Sequence, residues 1–261
     1  MSAPRATIAL VSGLLALAGC ASQRPPTLSH LSSHPGPAWL ELGSSREGRP
    51  LRALNLGTGG RRVAVIAGIH GTEQEGLRHV PEMIELLATL PATIRLYEDV
   101  NPDGTAAARR STANGVDPNR NWPAENFTPK STHGPRPLSE PGVGLVYRDL
   151  LRFDPDLVVV LHSTRRGPFV NFDGPADGFA ERFAVAAGRP WSTQPSMGYP
   201  TPGSLGSWFG LDRGRPILTV EFLRGAPAVE TGPALLRGLR AVIQDGPLEP
   251  APTRDEVFYV R

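Results

Sequence analysis

The segment VIAGIHGTEQEG places His70 and Glu73 at positions i and i+3, directly after a run of apolar residues. Gly68 and Gly71 flank His70 and permit a tight turn with close backbone approach. An imidazole and a carboxylate so spaced can be brought onto one cation. A catalytic zinc site takes three protein ligands, His₂Glu being one established set, and keeps a fourth position for water. The third donor is then a histidine at the end of another strand, and the run DLVVVLHS delivers His162 in that way. Each residue also has a plainer reading. Glu73 suits a helix start, where the macrodipole favours a carboxylate, and His162 suits a strand end with its ring nitrogens satisfied.

Bringing these residues together requires strands that end beside one another. Residues 62–67, 93–100, 157–161 and 217–222 are short apolar, β-branched runs, near-continuous rather than alternating, as in strands buried on both faces. Residues 73–90, 138–151, 176–187 and 229–243 carry apolar side chains at helical spacing. Alternation of the two predicts a single α/β/α domain with a mixed, mostly parallel central sheet, spanning residues 37–246. In such sheets reactive side chains gather at the carboxyl edge, where His70 and His162 fall.

Read in order, the landmarks GIHGTE, VNPDG, ARRSTANGVDPNRNWP, VLHS, GYPTPGSLGSW and TVEF run from about residue 60 to about residue 223. This set resembles the zinc metallocarboxypeptidase family, and most closely its small bacterial branch of murein peptide amidases. The resemblance implies one Zn²⁺ held by His70, Glu73 and His162, with Glu221 activating the attacking water. It implies that Arg110, nine residues before Asn119, steadies the oxyanion, with Arg109 as its neighbour and substitute. Asn119 and Arg120 match the pair that holds a substrate's terminal carboxylate. Tyr199, nine residues before Trp208, matches a tyrosine that closes over bound substrate. Two positions depart from the digestive members: Gly206 stands where a side chain lines their specificity pocket, and Ser207 where they have aspartate.

The implied activity is hydrolysis of an amide beside a free carboxylate, in a wall peptide cut between D-glutamate and diaminopimelate. One of Arg165 and Arg166, close after His162, suits the extra carboxylates of an acidic substrate, and the plainer reading is a solvated pair. A deacylase of small N-acyl amino acids shares the His-x-x-Glu and distant His but differs around VNPDG and the Tyr199 loop. A binding protein that has given up catalysis would be expected to lack a ligand or the base, and all four are present.

Charge excludes one class. The 27 basic and 25 acidic side chains leave a formal +2 with no basic run interleaved with aromatics, so nucleic acid is not an expected partner. Residues 8–19 are apolar or small, too short for a permanent membrane span, and end at Cys20, the single cysteine. Leu17-Ala18-Gly19-Cys20 resembles a bacterial lipobox. That implies a signal peptide over residues 1–19, an acylated Cys20 anchored to a membrane, and a Pro/Ser-rich tether through residue 36. Ala21 then favours the outer membrane, facing the periplasm. Residues 247–261 form a Pro-rich tail whose apolar end could dock as a strand.

Overall fold

The four apolar runs form the middle of one eight-stranded sheet in the computed structural model, which describes residues 39–195 and 197–245. The proposed signal peptide, Cys20, the tether to residue 36 and the tail from 247 lie outside the described residues. In chain order the strands are β1 Trp39–Ser44, β2 Pro50–Leu56, β3 Arg62–Ile66, β4 Thr93–Tyr97, β5 Leu157–Thr164, β6 Phe169–Asp173, β7 Thr193–Gln194 and β8 Ile217–Leu223. The spatial order is β1-β2-β4-β3-β5-β8-β6-β7. The central run β4-β3-β5-β8 is parallel, and antiparallel pairings join β1, β2 and β6 to it. The expected mixed, mostly parallel α/β sheet is therefore present, with flanking strands that the apolar-run criterion passes over. β1 is partly exposed along its length and β6 mixes polar with apolar residues, so neither reads as a two-sided buried run.

Side chains alternate between two cores. Val63, Val65, Leu157 and Val159 pack with α2 (Val80–Leu87), α5 (Asp177–Ala187) and α6 (Ala228–Arg240) on one face. Ala64, Ile66, Val158 and Val160 face α4 (Pro141–Phe153) and a wide turn over Gly206–Asp212 that carries Trp208. Both faces of the central strands are thus buried, which is why their sequences lack alternation.

The long helix expected over residues 73–90 is instead two: α1 Gln74–Leu77 and α2 Val80–Leu87. Pro81, in the first turn of α2, has no N–H to give the carbonyl four residues back, so the chain restarts a helix there. Pro141 likewise moves the start of α4 beyond Leu138, which takes φ +56. A short helix α3, Pro102–Ala106, is capped by the Asn101 side chain accepting from Gly104 N–H at 3.2 Å. Among the described residues no helix is long and apolar enough to cross a membrane.

Candidate metal centre and active-site cleft

Each proposed ligand leaves the carboxyl end of a parallel strand. Ile66 ends β3, and the turn that follows depends on two glycines. Gly68 has φ +70, and a Cβ there would sit 2.3 Å from Asp99 Oδ1. A Cβ on Gly71 would lie 2.0 Å from the Gly104 backbone, so α3 can press against the metal turn only because residue 71 has no side chain. Glu73 then stands immediately before α1. On β5, His162 pairs in register with Glu221 of β8, putting imidazole and carboxylate side by side on one face.

The three side chains converge. His70 Nδ1 lies 3.1 Å from both His162 Nδ1 and Glu73 Oε2, and His162 Nδ1 lies 2.8 Å from the same oxygen. All three residues are buried. Two imidazole nitrogens and a carboxylate oxygen meeting at one point are a donor set that a single cation satisfies at once. Tetrahedral Zn–N and Zn–O bonds of about 2.0–2.2 Å need donors spaced about 3.3 Å apart, near the spacing seen. The donor set fits one zinc ion.

Neighbours orient the ligands. His70 Nε2 meets Asp117 Oδ1 at 2.9 Å, the carboxylate–histidine pair that leaves Nδ1 with a free lone pair. Burial alone would push the His70 imidazole down, but Asp117 and Glu73 outweigh it and raise it. Burial would likewise push Glu73 up, and His162 and His70 hold it well below the usual carboxylate range. Asp117 is also held low, by His70, Arg110 and Arg120 against the effect of burial. Glu73 Oε2 also accepts from Ser163 N–H at 3.1 Å. Its other oxygen accepts from Arg110 at 2.7 Å and Arg224 at 3.2 Å.

A cleft of about 290 Å³ opens over this centre. Arg110, Asn119, Arg120, Tyr199 and Glu221 all line it, with the three ligands. Arg110 also donates to Asp117 Oδ2 at 3.0 Å, while Arg109 turns away towards Glu47. Asn119 is fixed through Oδ1, which accepts Leu205 N–H at 2.9 Å, and its amide nitrogen lies 3.4 Å from His162 Nε2. Arg120 folds back on the Asn119 carbonyl at 2.7 Å. Tyr199 stands at the rim, half exposed. Glu221 is nearly buried beside the metal centre, and that burial together with Glu73 raises its pKa against the pull of His162, Arg110 and Arg224. Ser207 is buried in bonds to Thr201, Ser204 and Asn126, bracing the loop that carries Tyr199.

Profile and relatives agree with this geometry. The family model for zinc carboxypeptidases matches residues 31–172. Murein peptide amidase A of Escherichia coli K12 is 33% identical over 178 residues, covering 60% of this chain and 69% of the relative. The chain belongs to the zinc carboxypeptidase family. It is accordingly a metallopeptidase-type hydrolase that uses zinc. The crystal structure of murein-tripeptide amidase MpaA from E. coli O157 superposes with a TM-score of 0.66 at 28% identity, covering 82% of this chain and 94% of that one. A carboxypeptidase A from Helicoverpa armigera shares the fold at TM-score 0.65 and 18% identity, covering 79% of this chain and 68% of that one.

Three residues of the site escaped sequence reasoning. Asp117 sits two positions before Asn119 in DPNRNW, and a carboxylate so close to the motif was the available signal. Arg224 follows Glu221 by three. Asp173, the last residue of β6, had no local signal, because only the pairing of β6 with β8 brings it to the site. It lines the cleft beside Gly206, where a Cβ would lie 2.2 Å from its Oδ2. The bare glycine at position 206 therefore makes room for a carboxylate from β6. Burial raises the Asp173 pKa, and among the described residues no cation neutralises it.

Proposed function

We propose that this protein hydrolyses the amide joining a γ-linked glutamate to a diaminopimelate-type residue in cell-wall peptides. When bound by His70, Glu73 and His162, zinc supplies a Lewis acid and lowers the pKa of its water to about 7. Glu221, in register with His162, takes the proton of the attacking water and delivers it to the leaving amine. Its raised pKa suits both duties better than that of an ordinary glutamate. Arg110, at the rim, donates to the oxyanion as it forms. Arg120 presents a planar fork to the free carboxylate beside the scissile bond, Asn119 adds its amide, and Tyr199 covers the occupied cleft.

The substrate reading is carried by the distribution of charge. Arg110, Arg120, Arg165 and Arg166 all line the cleft, and Asp173 is the carboxylate there that belongs neither to the metal centre nor to the base. A leaving residue with carboxylates and a side-chain ammonium complements both features. The matched murein peptide amidases are named for such peptides, which supports the same assignment. Export as a lipoprotein on Cys20 would place the enzyme among them.

Incubation of the zinc-loaded protein with murein tripeptide, ordinary C-terminal peptides and N-acyl amino acids tests the proposal. Release of diaminopimelate should exceed every other product by at least tenfold. Faster cleavage of peptides ending in neutral apolar residues would refute it.

A further inference from the structure

We propose that Arg224 is a positioning residue of the metal centre, holding the Glu73 carboxylate towards His70 and His162. This rests on the zinc reading of His70, Glu73 and His162 and is independent of which peptide is cleaved. Arg224 lies in the turn between β8 and α6, and its guanidinium donates to Glu73 Oε1 at 3.2 Å and to the Ser163 carbonyl at 2.9 Å. The residue after His162 is thus grasped from both sides: Ser163 N–H holds Glu73 Oε2, and Ser163 C=O holds Arg224.

The turn is itself fixed to the ligand-bearing segment. Arg224 N–H donates to the Thr164 carbonyl at 2.9 Å, and Gly225 N–H to Glu75 Oε1 at 2.7 Å. Arg78 donates to the Ala226 carbonyl at 2.6 Å. Glu75 and Arg78 belong to or adjoin α1, whose first-turn neighbour is Glu73. Arg224 therefore moves with the metal turn and with β5, not with the rim.

Arg110 also reaches Glu73 Oε1, at 2.7 Å, but the proposed reaction draws it to the oxyanion. Glu73 has a side chain only 2% exposed, and a carboxylate so buried is costly to leave with an uncompensated oxygen. Arg224 keeps that oxygen paired whichever way Arg110 turns. It also holds Oε2 towards the two imidazole nitrogens. Partners of this kind typically govern metal affinity by 10- to 100-fold.

The test is zinc affinity of the full chain, measured by competition with a chromophoric chelator, beside kcat and KM at saturating zinc. Arg224→Met should weaken zinc binding at least tenfold and leave KM within threefold. Arg224→Lys, which keeps the charge but not the fork, should recover part of the affinity. If Arg224→Met does not fold in excess zinc, as judged by circular dichroism, Arg224→Lys carries the test alone, with at least a threefold loss of affinity expected. Unchanged zinc affinity in the folded variants overturns the assignment. So does a raised KM at unchanged affinity, which would make Arg224 a substrate contact. Inactivity on wall peptides with the affinity loss intact would count against the substrate proposal alone.

Discussion

Replacing Asp173 by asparagine removes one charge from the cleft and almost no volume. If Asp173 reads the ammonium of the leaving residue, the variant forfeits the charged part of a hydrogen bond, worth about 1.5–3 kcal/mol. At about 1.4 kcal/mol per tenfold, kcat/KM should fall roughly 10- to 150-fold on a diaminopimelate-ending peptide. On a peptide ending in a neutral residue of similar length it should hold or rise. Stability should move the other way. Burial raises the Asp173 pKa above its unfolded value, so the folded state disfavours the anion. Wild-type protein therefore gives up stability as pH rises through the folded-state pKa, and D173N does not. Its melting temperature should exceed that of wild type by a margin that grows as pH rises from the ordinary aspartate pKa to the folded-state one and holds constant above it. Paired assays of the two peptides, with thermal scans from pH 4 to 8, check both halves. Equal losses on the two peptides, or a variant that melts lower at pH 8, would refute the role given to Asp173.

Three further substitutions test other parts of the site. Glu221→Gln keeps the shape of the proposed base but cannot take a proton, and kcat should fall 10²- to 10⁴-fold with KM little changed; activity within tenfold of wild type would sink the assignment. Arg110→Ala should cost 10²–10³ in kcat, the usual loss for one oxyanion donor, most of it unrecovered by saturating substrate. Gly71→Ala drives a methyl into the Gly104 backbone, 2.0 Å from where Cβ would stand, and should destabilise by on the order of 1–3 kcal/mol in denaturant titration.

What the sequence made legible follows from where burial and local motif coincide. β3, β5 and β8 are buried on both faces, so their apolar runs stand out, and the ligands follow at their ends. His70 and Glu73 share one turn, and the order of motifs led to Glu221, Arg110, Asn119, Arg120 and Tyr199, all of which the fold gathers in one cleft. β6 was not legible, since a polar-mixed strand beside the site has no period to distinguish it, and Asp173 was hidden with it. The same reason conceals the use of Gly206. A glycine reads as absence in a sequence, and only the neighbouring strand shows that a carboxylate occupies the space. The break at Pro81 was visible in the letters but was outweighed by apolar spacing that continues across it on the same face.

Zinc must take its place from a proton, and the identity of the proton follows from the bonds around His70. Nε2 is committed to Asp117, so the second proton of the imidazolium sits on Nδ1, facing Glu73 Oε2, where the ion would bind. Asp117 and Glu73 raise the His70 pKa, so this proton persists to higher pH than on a free histidine and competes with metal nearer neutrality. Below the His70 pKa, zinc affinity should therefore fall by about tenfold per pH unit for that one proton. Asp117→Asn acts in two directions. It makes the imidazole a poorer ligand, weakening zinc roughly 10- to 100-fold at pH 8, and it lowers the His70 pKa, so the proton leaves earlier. The gap between variant and wild type should consequently narrow as pH is lowered from 8 to 5 in chelator competition. A gap that stayed constant would mean that Asp117 does not set the protonation of His70 and supports the site only by packing.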